Sequence, residues 1–435
     1  MNFRDYLKTF KERGELIVID DPISSTLEIA AVMKQLEPKP VLFENVAESE
    51  FRVFGNMLCS KQRFADYFGI DLAGIIPLLS QAIEHPTDPE IVANGPCQEI
   101  VNFEPDLNKL PIPFHFQGDG GRFITSGVAI TTHPDHGQNM DFHRCMQIST
   151  TEMSVRVVKG RHFDAYLEDL GQVEVAICVG NTPNVLVAGA ISVEMGVDEL
   201  GIANSLEPLQ LVQAKTVDLM IPAEAEIVLE GIVYWDRRHT EGPFVDLTET
   251  QDVIRQEPVF EVKAITHRKD AIWQALLPGA LEHKLLMGMP REPTILREVN
   301  KVAKCLDVNV NPGGCSWLHA IVQIEKQNED DGVNTIHAAF AGHRSCKHVY
   351  VVDKDINIYD PLEVDWAMAT RFQGDRDMVV LPREPGSSLD PSAEAGTKMT
   401  TKIGFDLTAP LGAERKPYEK VPYPEADMGI FVKED

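Results

Sequence analysis

The chain has no run approaching the roughly 20 apolar residues that cross a bilayer. It opens with Met1-Asn2-Phe3-Arg4-Asp5, without a basic start leading into an apolar stretch. A protein that is neither membrane-spanning nor exported is expected, and the cytoplasm is its expected location. There is no CxxC pair. Cys59, Cys97, Cys145, Cys178, Cys305, Cys315 and Cys346 are scattered along a chain too large to depend on disulfides, so reduced and mostly buried thiols are expected. Positive charge is scarce: 40 Lys and Arg stand against 67 Asp and Glu, and the formal charge of −27 repels nucleic acid and anionic membrane. An anionic ligand therefore needs a local cationic pocket. Internal repeats and low-complexity tracts are also missing.

What is present is a chain of 435 residues, 43% apolar, able to bury a large core. At roughly 150 residues per domain it divides into two or three domains. The first hundred residues read as mixed α/β. Phe3, Tyr6, Leu7 and Phe10 recur at helical spacing before Gly14, Leu16 to Ile19 reads as a strand, and Ser24 or Ser25 can cap a helix with Ile29, Ala30 and Met33 on one face. Val41-Leu42-Phe43 reads as the next strand, and Leu110-Pro111-Ile112-Pro113 as a boundary.

From about 120 to 265 the runs become short and β-rich: Val128 to Thr132, Val155 to Val158, Val173 to Ile177, Glu226 to Leu229 and Val259 to Val262. Such spacing, with Gly and Pro between runs, predicts a barrel-like β domain. A helical stretch from Pro293 to Cys305 leads into a third region, where His348 to Val352 is the clearest buried strand. There Asp360-Pro361-Leu362-Glu363 resembles a capping box opening a helix through Trp366, Met368 and Ala369. The tail after about 410 gives no readable geometry.

The densest polar segment runs from His133 to Gln147. Its His133, His136 and His143 allow a metal hydrolase, but no HExxH pattern is present and Pro134 and Gly137 break any helical face. Taken singly, Asn139 reads as a turn residue, Arg144 as a surface strand residue and His162 as an edge histidine. Glu241-Gly242-Pro243-Phe244-Val245-Asp246 carries two carboxylates across a Gly-Pro turn. The turn is either an exposed acidic loop or a device that brings both acids into one cavity, where repulsion and burial raise one pKa and make it a proton donor.

The combined pattern resembles the UbiD family of reversible decarboxylases over nearly the whole chain. The resemblance rests on Leu110 to Pro113, Gly118-Asp119-Gly120-Gly121-Arg122-Phe123-Ile124-Thr125, Asn139 to Gln147, Ile221 to Gly231 and the Glu241 to Asp246 turn. It continues in Glu282-His283 with Gly288 to Glu292, the strand before Asp353-Lys354-Asp355-Ile356, and Gly386-Ser387-Ser388-Leu389-Asp390-Pro391. The fold it implies is an N-terminal α/β domain over 1–112, a central split β-barrel that binds flavin over 113–290, a linker helix over 291–310, and a C-terminal α/β domain with tail over 311–435.

The resemblance further implies prenylated FMN as cofactor, with Mn2+ or Mg2+ held by Asn139, His162 and Glu199 and bridged to the cofactor phosphate, and K+ nearby. Oxygen and nitrogen ligands suit such a cation. Arg144, Gln147 and Lys347 join these three as cofactor-binding residues. The catalytic trio falls on Arg144, Glu241 and Asp246, with Asp246 as proton donor, while His143 stands where many members have Tyr.

His283 and Arg291 flank an apolar segment expected to be a loop holding a substrate carboxylate, with packing and a surface ion pair as the alternative role of Arg291. This is similar to furan-2,5-dicarboxylate decarboxylases, so that diacid is the first expectation. Anhydromevalonate phosphate or another aromatic acid is the alternative, and CO2 is the co-product. A flavin prenyltransferase is implied as cofactor supplier, and the assembly as a homodimer or homohexamer. The rivals are a zinc hydrolase and a non-catalytic flavin-binding scaffold; Arg144, Glu241 and Asp246 together argue against the scaffold.

Overall fold

The computed structural model describes residues 1–424. The first helix, Phe3–Glu12, forms because Asn2 accepts the Asp5 backbone N–H while the Asp5 carboxylate accepts that of Asn2, and because Phe3, Tyr6 and Phe10 bury one face. Strands Ile17–Ile19, Val41–Phe43 and Arg52–Gly55 follow in one small sheet, which Ile272–Ala275 completes from far along the chain. The helix between them, Glu28–Leu36, buries Ile29, Ala30 and Met33, but neither serine caps it. Leu27 sits at the N-cap with φ of 68°, and the hydroxyls of Ser24 and Ser25 donate instead to the Glu48 carboxylate.

The central region is the barrel-like antiparallel sheet expected from the sequence. In spatial order it runs Phe123–Ile124, Cys145–Gln147, Glu152–Val155, Arg255–His267, Ile227–Glu241, Gln172–Val179, Val128–His133 and Gly137–Phe142. Strand Ile100–Asn102 adds to Arg255–His267. The run expected to extend through Val158 leaves the sheet after Val155, because the Arg156 guanidinium and the Val157 N–H turn to the buried Glu257 side-chain carboxylate rather than pairing backbone to backbone. The two longest strands pair until Glu241 faces Arg255, and beyond that point a two-stranded ribbon, Phe244–Val245 with Gln251–Asp252, projects from the sheet. The acidic turn is thus the far end of the longest hairpin.

The C-terminal sheet has the order Lys304–Val310, His319–Glu325, His348–Asp353, Met399–Asp406 and Met378–Pro385, with helices Asp331–Gly342 and Pro361–Arg371 contributing to its two apolar clusters. The helix expected through Cys305 ends at Val299. Asn300 caps it, the Asn300 side chain accepts the Cys305 N–H, and Lys304 already begins a strand. Asp360 accepts the Leu362 N–H and Pro361 takes the first helical position, as expected. All seven cysteines are unpaired, and only Cys315 is not buried. No helix of the described residues is long and apolar enough to cross a membrane, and the end of the tail lies outside the described residues.

Candidate active site

A cavity of about 550 Å³ lies between the central sheet, helix Leu281–Gly288 and the C-terminal loops that carry Trp317, Ser345 and Ser387. Arg144 stands at one wall, just ahead of strand Cys145–Gln147. Its Nε donates to Glu241 Oε1 at 2.8 Å and its Nη2 to Glu241 Oε2 at 3.1 Å, a forked pair with a carboxylate that is fully buried. Nη1 donates to Asp246 Oδ2 at 2.6 Å and Nη2 to Asp252 Oδ2 at 2.9 Å, while the Phe244 ring lies 4.4 Å beneath the guanidinium. Burial alone would lower the Arg144 pKa. The hydrogen-bonded Glu241 and the charges of Asp246 and Asp252 outweigh it and hold the group firmly protonated.

The acidic turn does bring its two carboxylates together, and it is fixed from behind. Gly242 adopts φ of +87°, and the Gly120 N–H donates to the Pro243 carbonyl at 2.7 Å. A Cβ at Gly120 would stand 2.0 Å from the Gly242 carbonyl oxygen, so only glycine lets the two backbones approach.

At another part of the wall Asn139 Oδ1 and His162 Nδ1 lie 3.0 Å apart, and Glu199, 2% exposed, opens helix Glu199–Leu206. Glu199 accepts the Met140 N–H, yet burial pushes its carboxyl up to about 8, and its charged neighbours are Asp141 and Asp198. An acid buried among acids, beside an amide oxygen and an imidazole nitrogen, is a donor set that a hard divalent cation satisfies. Because Asn139 is an amide, the trio is not a cluster of His, Cys, Asp and Glu; no group of three of those types is poised for a metal among the described residues. His133 is held by Asp169 and stacks on His136, whereas His143 turns to Asp141 and the Arg156 carbonyl, so these histidines share no point.

His283 and Arg291 both reach the cavity, but the segment between them is helix Leu281–Gly288 and a short turn, not a loop, because the buried Glu282, Lys284, Leu286 and Gly288 need a packed inner face. The Gly279 N–H donates to His283 Nδ1 at 3.0 Å, which fixes the neutral tautomer with its Nε2–H free. Burial lowers the His283 pKa against the pull of Asp246.

Arg291 is paired with no carboxylate among the described residues. Its Nη2 reaches the Ala190 carbonyl at 3.2 Å, its buried Nε has no partner among the described residues, and it lies 5.3 Å over Trp317. Burial first, and then the Arg161 charge, lowers its pKa to about 10. The neighbouring Glu292 takes Lys61 at 2.7 Å instead.

Two residues assigned to cofactor binding do not face this cavity. Gln147 donates to Asn108, and the Lys347 ammonium is committed to Asp390 at 2.8 Å in a separate depression with His348 and Arg383. Conversely, Asp252, Arg161 and Trp317 line the cavity without having been singled out. The only signal for Asp252 was an acid–base pair with Arg255 shortly after the turn, and for Arg161 its place beside His162.

The sequence matches three consecutive domain families: the 3-octaprenyl-4-hydroxybenzoate carboxy-lyase N-terminal domain over 7–83, its Rift-related domain over 90–281 and its C-terminal domain over 284–407. Anhydromevalonate phosphate decarboxylase of Methanothermobacter thermautotrophicus is 41% identical, over 95% of this chain and 98% of its own. The UbiD-class enzyme HmfF from Pelotomaculum thermopropionicum in complex with FMN superposes with a TM-score of 0.94 at 34% identity, covering 99% of this chain and 98% of that one. An evolved dimeric form of the same enzyme in complex with prFMN gives a TM-score of 0.91 at 32% identity, over 99% of this chain and 100% of that one.

Proposed function

The chain belongs to the UbiD family of carboxy-lyases, and on that footing we propose that it is a prenylated-FMN-dependent decarboxylase of a short unsaturated acid bearing a second anionic group. The observation that carries this reading is Arg144 holding Glu241, Asp246 and Asp252 at the wall of a cavity that also holds an unpaired Arg291.

Prenylated FMN, when bound, supplies the sink for electrons released at a carbon that cannot delocalise them itself. Asn139, His162 and Glu199 would hold Mn2+ or Mg2+ against its phosphate, with K+ nearby. Departure of CO2 leaves an electron pair on the substrate carbon. Asp246, which takes a single hydrogen bond from Arg144 and is less enclosed than Glu241, gives that carbon its proton and is recharged from solvent. Glu241 is gripped by two guanidinium hydrogen bonds and keeps Arg144 in place. The neutral His283 presents its Nε2–H to the substrate, while Phe244, Leu276, Leu286 and Met287 exclude water.

The second anionic group is assigned to Arg291, with Arg161 beside it and Ser192 within 3.5 Å of the Arg161 guanidinium. Two cations without a carboxylate partner among the described residues suit a phosphate monoester as well as a carboxylate, and the near-full-length relative is named for anhydromevalonate phosphate. That acid is therefore placed ahead of furan-2,5-dicarboxylate, the first expectation from the sequence. A homodimer or homohexamer and a supplying prenyltransferase complete the proposal.

The test is CO2 release by cofactor-loaded protein from both acids, with Arg291→Ala alongside. Losing one charge-assisted hydrogen-bond donor should raise KM roughly 10- to 100-fold. Turnover of a simple monoacid with the same KM in wild type and variant would remove the anion from the reading.

A further inference from the structure

Arg144 has five N–H donors, and the family trio accounts for Glu241 and Asp246 only. Another is spent on Asp252, which is partly buried in the same ribbon, across from Phe244. Asp252 is itself saturated: Oδ2 accepts from Arg144 Nη2 at 2.9 Å and Arg255 Nη1 at 2.6 Å, and Oδ1 from Arg255 Nη2 and the Val253 N–H, both at 2.8 Å. Burial would raise its carboxyl, but the Arg255 hydrogen bonds and the Arg144 charge hold it at about 2. It therefore stays an anion at every working pH and cannot be the group that moves a proton.

We infer that Asp252, clamped by Arg255, is a positioning residue that aims Arg144 and cancels part of its charge, so that Asp246 remains able to carry a proton. This rests on the decarboxylase reading. Asp246 pairs directly with Arg144, which also holds Glu241 and Asp252, the last clamped by Arg255, and the Asp246 charge acts on His283 of helix Leu281–Gly288. Asp119 lies in the loop behind, the Lys284–Glu249 pair beside, and the Arg156–Glu257 pair beyond. The Arg144 cluster holds two cations and three carboxylates when Asp246 is ionised, and it becomes neutral when Asp246 is protonated. Without the Asp252 charge, the two arginines face only Glu241 and Asp246, and Asp246 is pinned as the anion. Without the Arg255 charge, the surplus of carboxylates favours protonated Asp246.

The two variants should therefore move the same group in opposite directions. In Asp252→Asn the alkaline limb of the kcat profile, which reports the protonated donor, should fall by about one pH unit, and in Arg255→Gln it should rise, since one charge gained or lost in a shared ion-pair cluster shifts a pKa by about that much. KM should change far less than kcat. Cofactor-free protein with 13C-labelled aspartate carboxyls gives the second readout: the Asp246 resonance, assigned by its loss in Asp246→Asn, should show the same opposite displacements of its midpoint. This titration remains readable if no substrate is turned over, so failure of the activity and failure of the inference are told apart. Shifts of the Asp246 midpoint in the same direction in both variants, or in neither, would overturn the role given to Asp252.

Discussion

At the scale of single residues, the carboxylates around Arg144 differ in how firmly each is held: Glu241 takes two of its hydrogen bonds and Asp246 one. Asp246→Asn and Glu241→Gln should both retain flavin and lose turnover, by ~10²–10⁴-fold where proton transfer is removed. Steady-state rates together with the flavin spectrum check this, and near-wild-type turnover in both variants would contradict it. His162→Ala should lose bound Mn2+ and part of the flavin, because the imidazole and Asn139 Oδ1 stand 3.0 Å apart at the edge of the buried Glu199 site; metal analysis showing unchanged Mn2+ and flavin would remove His162 from the site. Only the family resemblance joined Arg144, Glu241 and Asp246 across the chain, because Arg144 alone reads as a surface strand residue and the Gly-Pro turn as either exposed or cavity-facing; the structure brings the three side chains together. Asp252 was not legible, because an aspartate near an arginine in an acidic chain looks like any surface pair until the ribbon turns it inward. Lys347 was expected at the cofactor phosphate for its charge, and nothing in the sequence reveals its pairing with Asp390.

At the scale of elements, the acidic turn depends on the loop behind it. Gly120→Ala should destabilise the protein by roughly 1–3 kcal/mol, as overpacking against a rigid neighbour does, because the added Cβ meets the Gly242 carbonyl at 2.0 Å and backbone cannot swing away. Since that carbonyl lies between Glu241 and Asp246, kcat should fall even where the fold survives. Urea unfolding and kinetics of the same preparation check both, and an unaltered kcat with normal stability would show that the loop does not position the turn. Periodicity located most elements, including Phe3–Glu12 and His348–Asp353. It misjudged ends decided by side chains that act outside the pattern: Asn300 stops the helix after Val299, and Glu257 draws Arg156 and Val157 out of the strand. The cap at Leu27 was unreadable for the same reason, since Glu48 attracts the serines that would otherwise have capped.

At the scale of the whole molecule, the three-part layout was visible as a change from helical to strand periodicity and back. That Ile272–Ala275 returns to complete the N-terminal sheet was not, because strand pairing at such sequence distance leaves no local trace. Buried histidines make the assembled fold acid-sensitive. Burial lowers His115 and His343 to about 3, and neither His115 nitrogen has a partner among the described residues. Between the ordinary histidine value and about 3 the unfolded chain takes protons that the fold refuses, so stability is complete above about 6.5 and falls as pH drops, by about 2 kcal/mol for each group at pH 5. His115→Phe should flatten the unfolding free energy between pH 7 and pH 5 by that amount, and an unchanged slope would place the acid sensitivity elsewhere.

Protein loaded with prenylated FMN and Mn2+ is given anhydromevalonate phosphate in D2O, and CO2 and product deuterium are measured together. One CO2 per product, with one solvent deuterium at the carbon that lost it, is the result expected of the Asp246 proton donor. No CO2 from this acid, from furan-2,5-dicarboxylate or from phenolic acids, with cofactor and metal demonstrably bound, would contradict the account.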